Sequence, residues 1–187
     1  NKKINQLILF YGKNEGLKNE ALSILIKGEK NIQNYEEKEI LENENNFIEN
    51  ILSKSLFEKK KFIVVKRTTD KILKVIENLH LRDLEDTTII LISNNLEKKS
   101  KLRSLFEKDK KLICVPFYPD NDQTLFKLAY NFLSKKKISL SPSNINLIVS
   151  KCNSDRETLI NELQKIEYFG KNGKKINSEN ISKLINL

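Results

Sequence analysis

Methionine and tryptophan are absent from these 187 residues, histidine occurs once, and there are two cysteines. Cys114 and Cys152 lack metal-ligand spacing, and His80 alone cannot complete a zinc site with them, so both are expected to be reduced packing residues. With one histidine, no G-x-S-x-G elbow and no paired carboxylates fixed at a strand end, neither a nucleophilic triad nor a glycosidase-like dyad can be assembled. No apolar run approaches the roughly 20 residues of a membrane span. The stretch Asn1 to Gln6 lacks a signal-peptide core, so a cytoplasmic protein without membrane association is expected. Beginning at Asn1 without methionine, the sequence reads as trimmed or incomplete.

What is present suits a globular chain: 39% hydrophobic and 32% charged residues can bury a real core in one domain or two small ones. The formal charge of +9 suggests an acidic partner such as nucleic acid, whose counterions Lys and Arg would release. That excess is mostly lysine, since Arg67, Arg82, Arg103 and Arg156 are the four arginines, and the abundance of Asn and Ile is what nucleotide bias alone would produce. Residues 1–116 carry 23 basic and 18 acidic groups (+5), and residues 117–187 carry 11 and 7 (+4). No segment is a dedicated basic arm.

Four apolar runs, Leu7 to Tyr11, Phe62 to Lys66, Thr87 to Ile92 and Leu112 to Val115, read as strands covered on both faces. A weaker strand is placed at Asn31 to Tyr35. Helical patterns at Leu17 to Ile26, Asn46 to Lys54, Lys71 to Leu79 and Ser100 to Phe106 alternate with them, which predicts a parallel sheet with right-handed crossovers. The acidic stretch Glu36 to Glu44 reads as a solvated helix or loop. At Pro116-Phe117-Tyr118-Pro119 the pattern changes, and a boundary is expected between residues 116 and 117. Beyond it, Gln123 to Leu133, Ser143 to Lys151, Asp155 to Tyr168 and Ser178 to Leu187 predict a small helical bundle, with Gly170 to Gly173 as a stop. Asp155-Arg156 with Glu162 is expected to supply a cap and a local ion pair.

Gly12 follows the first strand and opens onto a helix, where phosphate-binding loops sit. A full loop needs G-x-x-x-x-G-K-[ST], and the four defining positions hold Gly12, Leu17, Lys18 and Asn19. Leu17 is bulky where backbone must approach phosphate, and Asn19 lacks the hydroxyl that would hold magnesium. Ser93-Asn94-Asn95 follows the strand that should end in an acid. A degenerate, non-functional loop is expected, with no cofactor and no intrinsic catalytic activity.

Phe47, Ile48, Ile51 and Leu52 recur at helical spacing, and Leu56 continues that stripe. Phe57 lies about 100° further round the wheel, and Glu58-Lys59-Lys60-Lys61 follows at once. Ser55-Leu56-Phe57 is thus an apolar corner with two readings: tucked under the adjoining strand, or projecting toward a partner.

Taken in order, the first strand with its failed loop, this corner, Phe62-Ile63-Val64-Val65, Thr88-Ile89-Ile90-Leu91 and Pro116-Phe117-Tyr118 resemble the bacterial DNA polymerase III delta subunit. It is the clamp-opening member of the replicative clamp loader. The segment from Asp155 to Ile166 is similar to that family's most recognisable stretch. The resemblance implies an AAA+-type α/β domain followed by a helical lid, in a subunit that has lost ATP hydrolysis. It also implies a third, collar domain, before which this chain is expected to stop. The family's clamp-contacting Leu-Phe pair maps onto Leu56 and Phe57, with Ser55 just before. Implied partners are the sliding clamp (beta), the gamma/tau and delta prime loader subunits, and primed DNA within the complex. Against this stand a P-loop enzyme of unfamiliar pattern and a basic nucleic-acid-binding module.

Overall fold

A computed structural model describes residues 7–53, 60–82, 84, 86–171, 176 and 178–185. The chain divides after Tyr118 into two compact units, Asn1–Tyr118 and Pro119–Leu187.

The first unit alternates strand and helix: β1 (Leu7–Tyr11), α1 (Glu15–Leu25), β2 (Ile32–Glu36), α2 (Glu37–Glu42), α3 (Glu44–Leu52) and β3 (Lys61–Lys66). A 3-10 turn at Asp70–Ile72 then runs into α4 (Leu73–His80), followed by β4 (Thr87–Ile92), α5 (Lys101–Lys108) and β5 (Ile113–Pro116). The five strands form one parallel sheet in the order β2-β3-β4-β1-β5. Leu9 pairs with Leu91 on one side and Cys114 on the other, so β1 lies inside the sheet.

Strand alternation sends side chains to two cores. Leu7, Leu9, Ile63, Val65, Ile89 and Leu91 pack with Phe47 and Ile51 of α3, Ile76 and Leu79 of α4, and Leu102 and Phe106 of α5. Ile8, Phe10, Phe62, Val64 and Ile90 face the other way, with Leu17, Ala21 and Leu22 of α1 against them. This is a parallel sheet with helices on both faces, and each buried Leu, Ile or Phe contributes about 1.5 to 3 kcal/mol.

The acidic stretch is not simply solvated. Glu37 and Ile40 of α2 are buried, and the Glu37 carboxylate accepts the Thr69 N–H at 2.6 Å and the Thr69 hydroxyl at 2.9 Å. A carboxylate there satisfies a donor just before the 3-10 turn, which hydropathy alone does not register.

The second unit is helical: α6 (Asp122–Lys135), α7 (Pro142–Lys151), α8 (Arg156–Lys171) and α9 (Ser178–Leu184). Leu125, Leu133, Ile148, Leu159, Leu163 and Ile181 belong to its core. Asn121 accepts the Thr124 N–H at 2.9 Å, and Pro142 fills the first turn of α7, where its missing N–H costs nothing. Asp155 caps α8 through the Thr158 N–H. Arg156 pairs with both carboxylate oxygens of Asp120 at 3.2 Å, and Glu162 pairs with Lys165. α8 ends at Lys171, within the stretch from Gly170 to Gly173 expected to stop it.

Candidate functional site

The parallel arrangement places the loop after β1 beside the ends of β4 and β5. Gly12 has φ +127°, and its N–H donates to the Asn94 carbonyl at 3.1 Å. A Cβ there would lie 2.1 Å from the Phe117 carbonyl oxygen, so both the backbone angle and the close approach require glycine. Phe117 donates its N–H to Tyr11 at 2.7 Å and sets its ring edge-on to Phe10 at 4.9 Å. The segment after β5 therefore lies directly against the loop.

Asn14 accepts the Leu17 N–H at 3.0 Å as the cap of α1, and its side-chain amide donates to the Tyr118 carbonyl at 3.0 Å. With the helix started at Glu15, its next residues point in three directions. Leu17 packs toward the sheet, Lys18 enters the protein and Asn19 is exposed.

Lys18 is fully buried, at 0% exposure. Its ammonium donates to the Glu15 carboxylate at 2.7 Å and to the Ser93 main-chain carbonyl at 2.8 Å. A buried ammonium is tolerable only with such acceptors around it. Ser93 is itself held by its N–H to Phe10 at 2.8 Å and by a 2.6 Å hydroxyl contact with Thr68. The lysine thus ties α1 to the end of β4. Beyond β3 the chain continues as Arg67-Thr68, and Arg67 pairs with Glu36 at 2.7 Å.

Of the residues singled out from sequence, Gly12, Leu17, Lys18 and Asn19 share this loop and helix start, whereas Ser55, Leu56 and Phe57 lie outside the described residues. The elements flanking that corner are described. Phe47 and Ile51 of α3 are buried in the core, and α3 closes with Ser53 donating its N–H to Glu49 at 2.8 Å. At the start of β3, Lys61 donates to the Asn50 carbonyl at 2.6 Å and to its side-chain oxygen at 3.0 Å. Asn50 also donates to the Tyr35 hydroxyl at 2.6 Å, so α3, β2 and β3 are tied at one residue. Sequence reasoning missed Asn14, Glu15, Asn50 and Lys61; the Asn14–Leu17 and Glu15–Lys18 spacings of three were the available signal.

Burial pushes the thiols of Cys114 and Cys152 up to about 11, so neither is a ready nucleophile. Among the described residues, no helix is long and apolar enough to cross a membrane.

No family model matches this chain, and no curated protein does. Solved structures are similar. The Bacillus subtilis DNA clamp loader delta protein YqeN gives a TM-score of 0.66 at 15% identity, covering 96% of this chain and 57% of that one. Domain III of the Thermotoga maritima replication initiation protein DnaA gives 0.52 at 16% identity, covering 98% and 85%. The Thermotoga maritima RuvB Holliday junction branch migration motor gives 0.58 at 13% identity, covering 96% and 61%. This chain spans little more than half the length of the clamp loader protein, and what it shares with all three is the fold: an AAA+-like parallel sheet with helices on both faces, followed by helices.

Proposed function

We propose that this chain is the clamp-contacting, ring-opening subunit of a bacterial DNA polymerase III clamp loader, working in the cytoplasm. The observation that carries the reading is the fold shared with a clamp loader delta protein over 96% of the chain, together with the Leu56-Phe57 pair between α3 and β3. In this reading the expected domains, 1–116 and 117–187, correspond to the two compact units, Asn1–Tyr118 as the AAA+-like domain and Pro119–Leu187 as the lid. Leu56 and Phe57 enter an apolar pocket on the sliding clamp, each contributing about 1.5 to 3 kcal/mol if fully buried, less the cost of association. The Asn50–Lys61 tie supports it by holding together the two elements from which the pair departs.

Opening the ring follows from differential affinity, because a ligand shifts an equilibrium only toward the state it binds better. The subunit acts as a wedge. ATP chemistry belongs to partner subunits of the gamma/tau type, with delta prime and primed DNA completing the assembly.

A pull-down with a bacterial sliding clamp, repeated at high salt, tests the reading. Leu56→Ala with Phe57→Ala is expected to abolish capture while leaving the melting temperature nearly unchanged. A large stability loss, or unchanged capture, would remove the pair from the interface.

A second reading, a nucleotide-driven motor, is favoured by Gly12 and Lys18 at loop spacing and by the fold shared with a branch migration motor. The bonding of Lys18 to Glu15 and Ser93 weighs against it. Magnesium-dependent ATP turnover by the purified chain would reverse the ranking.

A further inference from the structure

A cleft of about 820 Å³ runs between α4 and α5. Lys98, Lys99, Lys101, Lys108 and Lys110 line it, against Glu77 and Asp109. Lys99 pairs with Glu97 at 2.9 Å, whereas Lys98, Lys101, Lys108 and Lys110 form no ion pair among the described residues. The Asp109 carboxylate is already engaged, by His80 at 2.8 Å and the Lys111 N–H at 2.8 Å. Glu77 forms no ion pair among the described residues and opposes these four lysines, which outnumber it and leave the cleft cationic.

Its lining is not wholly polar. Leu73 of α4 and Leu105 of α5, both half-buried, also line it. The lysines fall into two groups, one at each end of α5. An eight-residue helix separates those ends by about 12 Å, the reach of roughly four residues of extended chain.

The walls are fixed at both ends. Asp70, in the turn before α4, accepts the Ser100 hydroxyl at 2.6 Å and the Leu102 N–H at 3.0 Å, joining the N-termini of α4 and α5. His80 and Asp109 join their C-termini. A cleft held this way loses little conformational freedom when filled.

We propose that this cleft binds an acidic peptide segment that carries two apolar side chains between acidic residues spaced about four apart, the carboxylates meeting the two lysine groups and the apolar pair meeting Leu73 and Leu105. Charge complementarity selects acid, and the leucines select peptide over nucleic acid. A phosphodiester backbone has nothing to set against them, and none of the described lining residues is aromatic, as base stacking would need. The inference does not rest on the clamp reading.

The test is fluorescence anisotropy on the full chain with a labelled peptide bearing two leucines flanked on each side by two glutamates. Serine at both leucine positions is expected to weaken binding at least about fivefold, a loss of apolar contact. Lys101→Glu with Lys108→Glu is expected to weaken it at least about tenfold at low salt, with far-UV circular dichroism checking that the variant is folded. Equal binding of the serine peptide, no saturation at millimolar peptide, or tighter binding of an oligonucleotide of equal charge that displaces the peptide would each overturn the proposal.

Discussion

The Lys18 ammonium lies 2.8 Å from the main-chain carbonyl oxygen of Ser93, bridging the first helix to the end of the fourth strand. Its other acceptor, Glu15, is 60% exposed, so the bond to Ser93, itself 1% exposed, matters more for stability. Lys18→Met keeps the apolar stem and strands that carbonyl, and is expected to cost about 1 to 3 kcal/mol. Urea denaturation checks it. An unchanged midpoint, together with ATP-induced stabilisation of the unsubstituted chain, would mean that the lysine is free to serve phosphate.

Gly12 and Gly28 both have positive φ, +127° and +84°, yet they differ in surroundings. A Cβ at Gly12 meets the Phe117 carbonyl, while one at Gly28 meets nothing within 4 Å. Gly28→Ala should cost about 1 to 2 kcal/mol from backbone angle alone. Gly12→Ala should cost about 3 kcal/mol or more, because the angle and the collision add. Equal denaturation midpoints for the two variants would contradict this account of the loop.

Asp70 offers a test in acid. The Ser100 hydroxyl, aided by the N–H groups of Leu102 and Lys101 and opposed by burial, holds its carboxyl below the usual range. A carboxylate depressed on folding stabilises above its unfolded pKa and loses that contribution as pH falls through the folded value. The chain should therefore weaken as pH drops below about 4. Asp70→Asn should be less stable near neutrality and lose less over the same acid range. Parallel pH profiles for the two proteins, followed by denaturation, would rule Asp70 out as a contributor.

Much of the fold was legible because its strands are covered on both faces and so read as continuous apolar runs. Leu7–Tyr11 and Thr87–Ile92 have the bounds the sequence suggests, whereas β5 begins one residue late and ends on Pro116, whose carbonyl side still permits pairing. The first helix begins before its apolar pattern does, since Asn14 and not hydropathy starts it. In the candidate site, spacing revealed Gly12 and Lys18 but not their partners. Ser93 contributes a main-chain oxygen, which has no residue signature, and Phe117 reaches Gly12 only because β5 lies beside β1. Asn50 and Lys61 were invisible for the same reason: their contact is made by the pairing of β2 with β3 and the packing of α3.

Among the described residues, the strand order leaves β2 and β5 at the margins of the sheet, where main-chain groups invite stray chains to add on. β5 is four residues long and finishes on an imino acid with no hydrogen to donate, and β2 finishes on Glu36. Both borders are thus short and end unfavourably for templating, which disfavours edge-to-edge aggregation when the protein is concentrated.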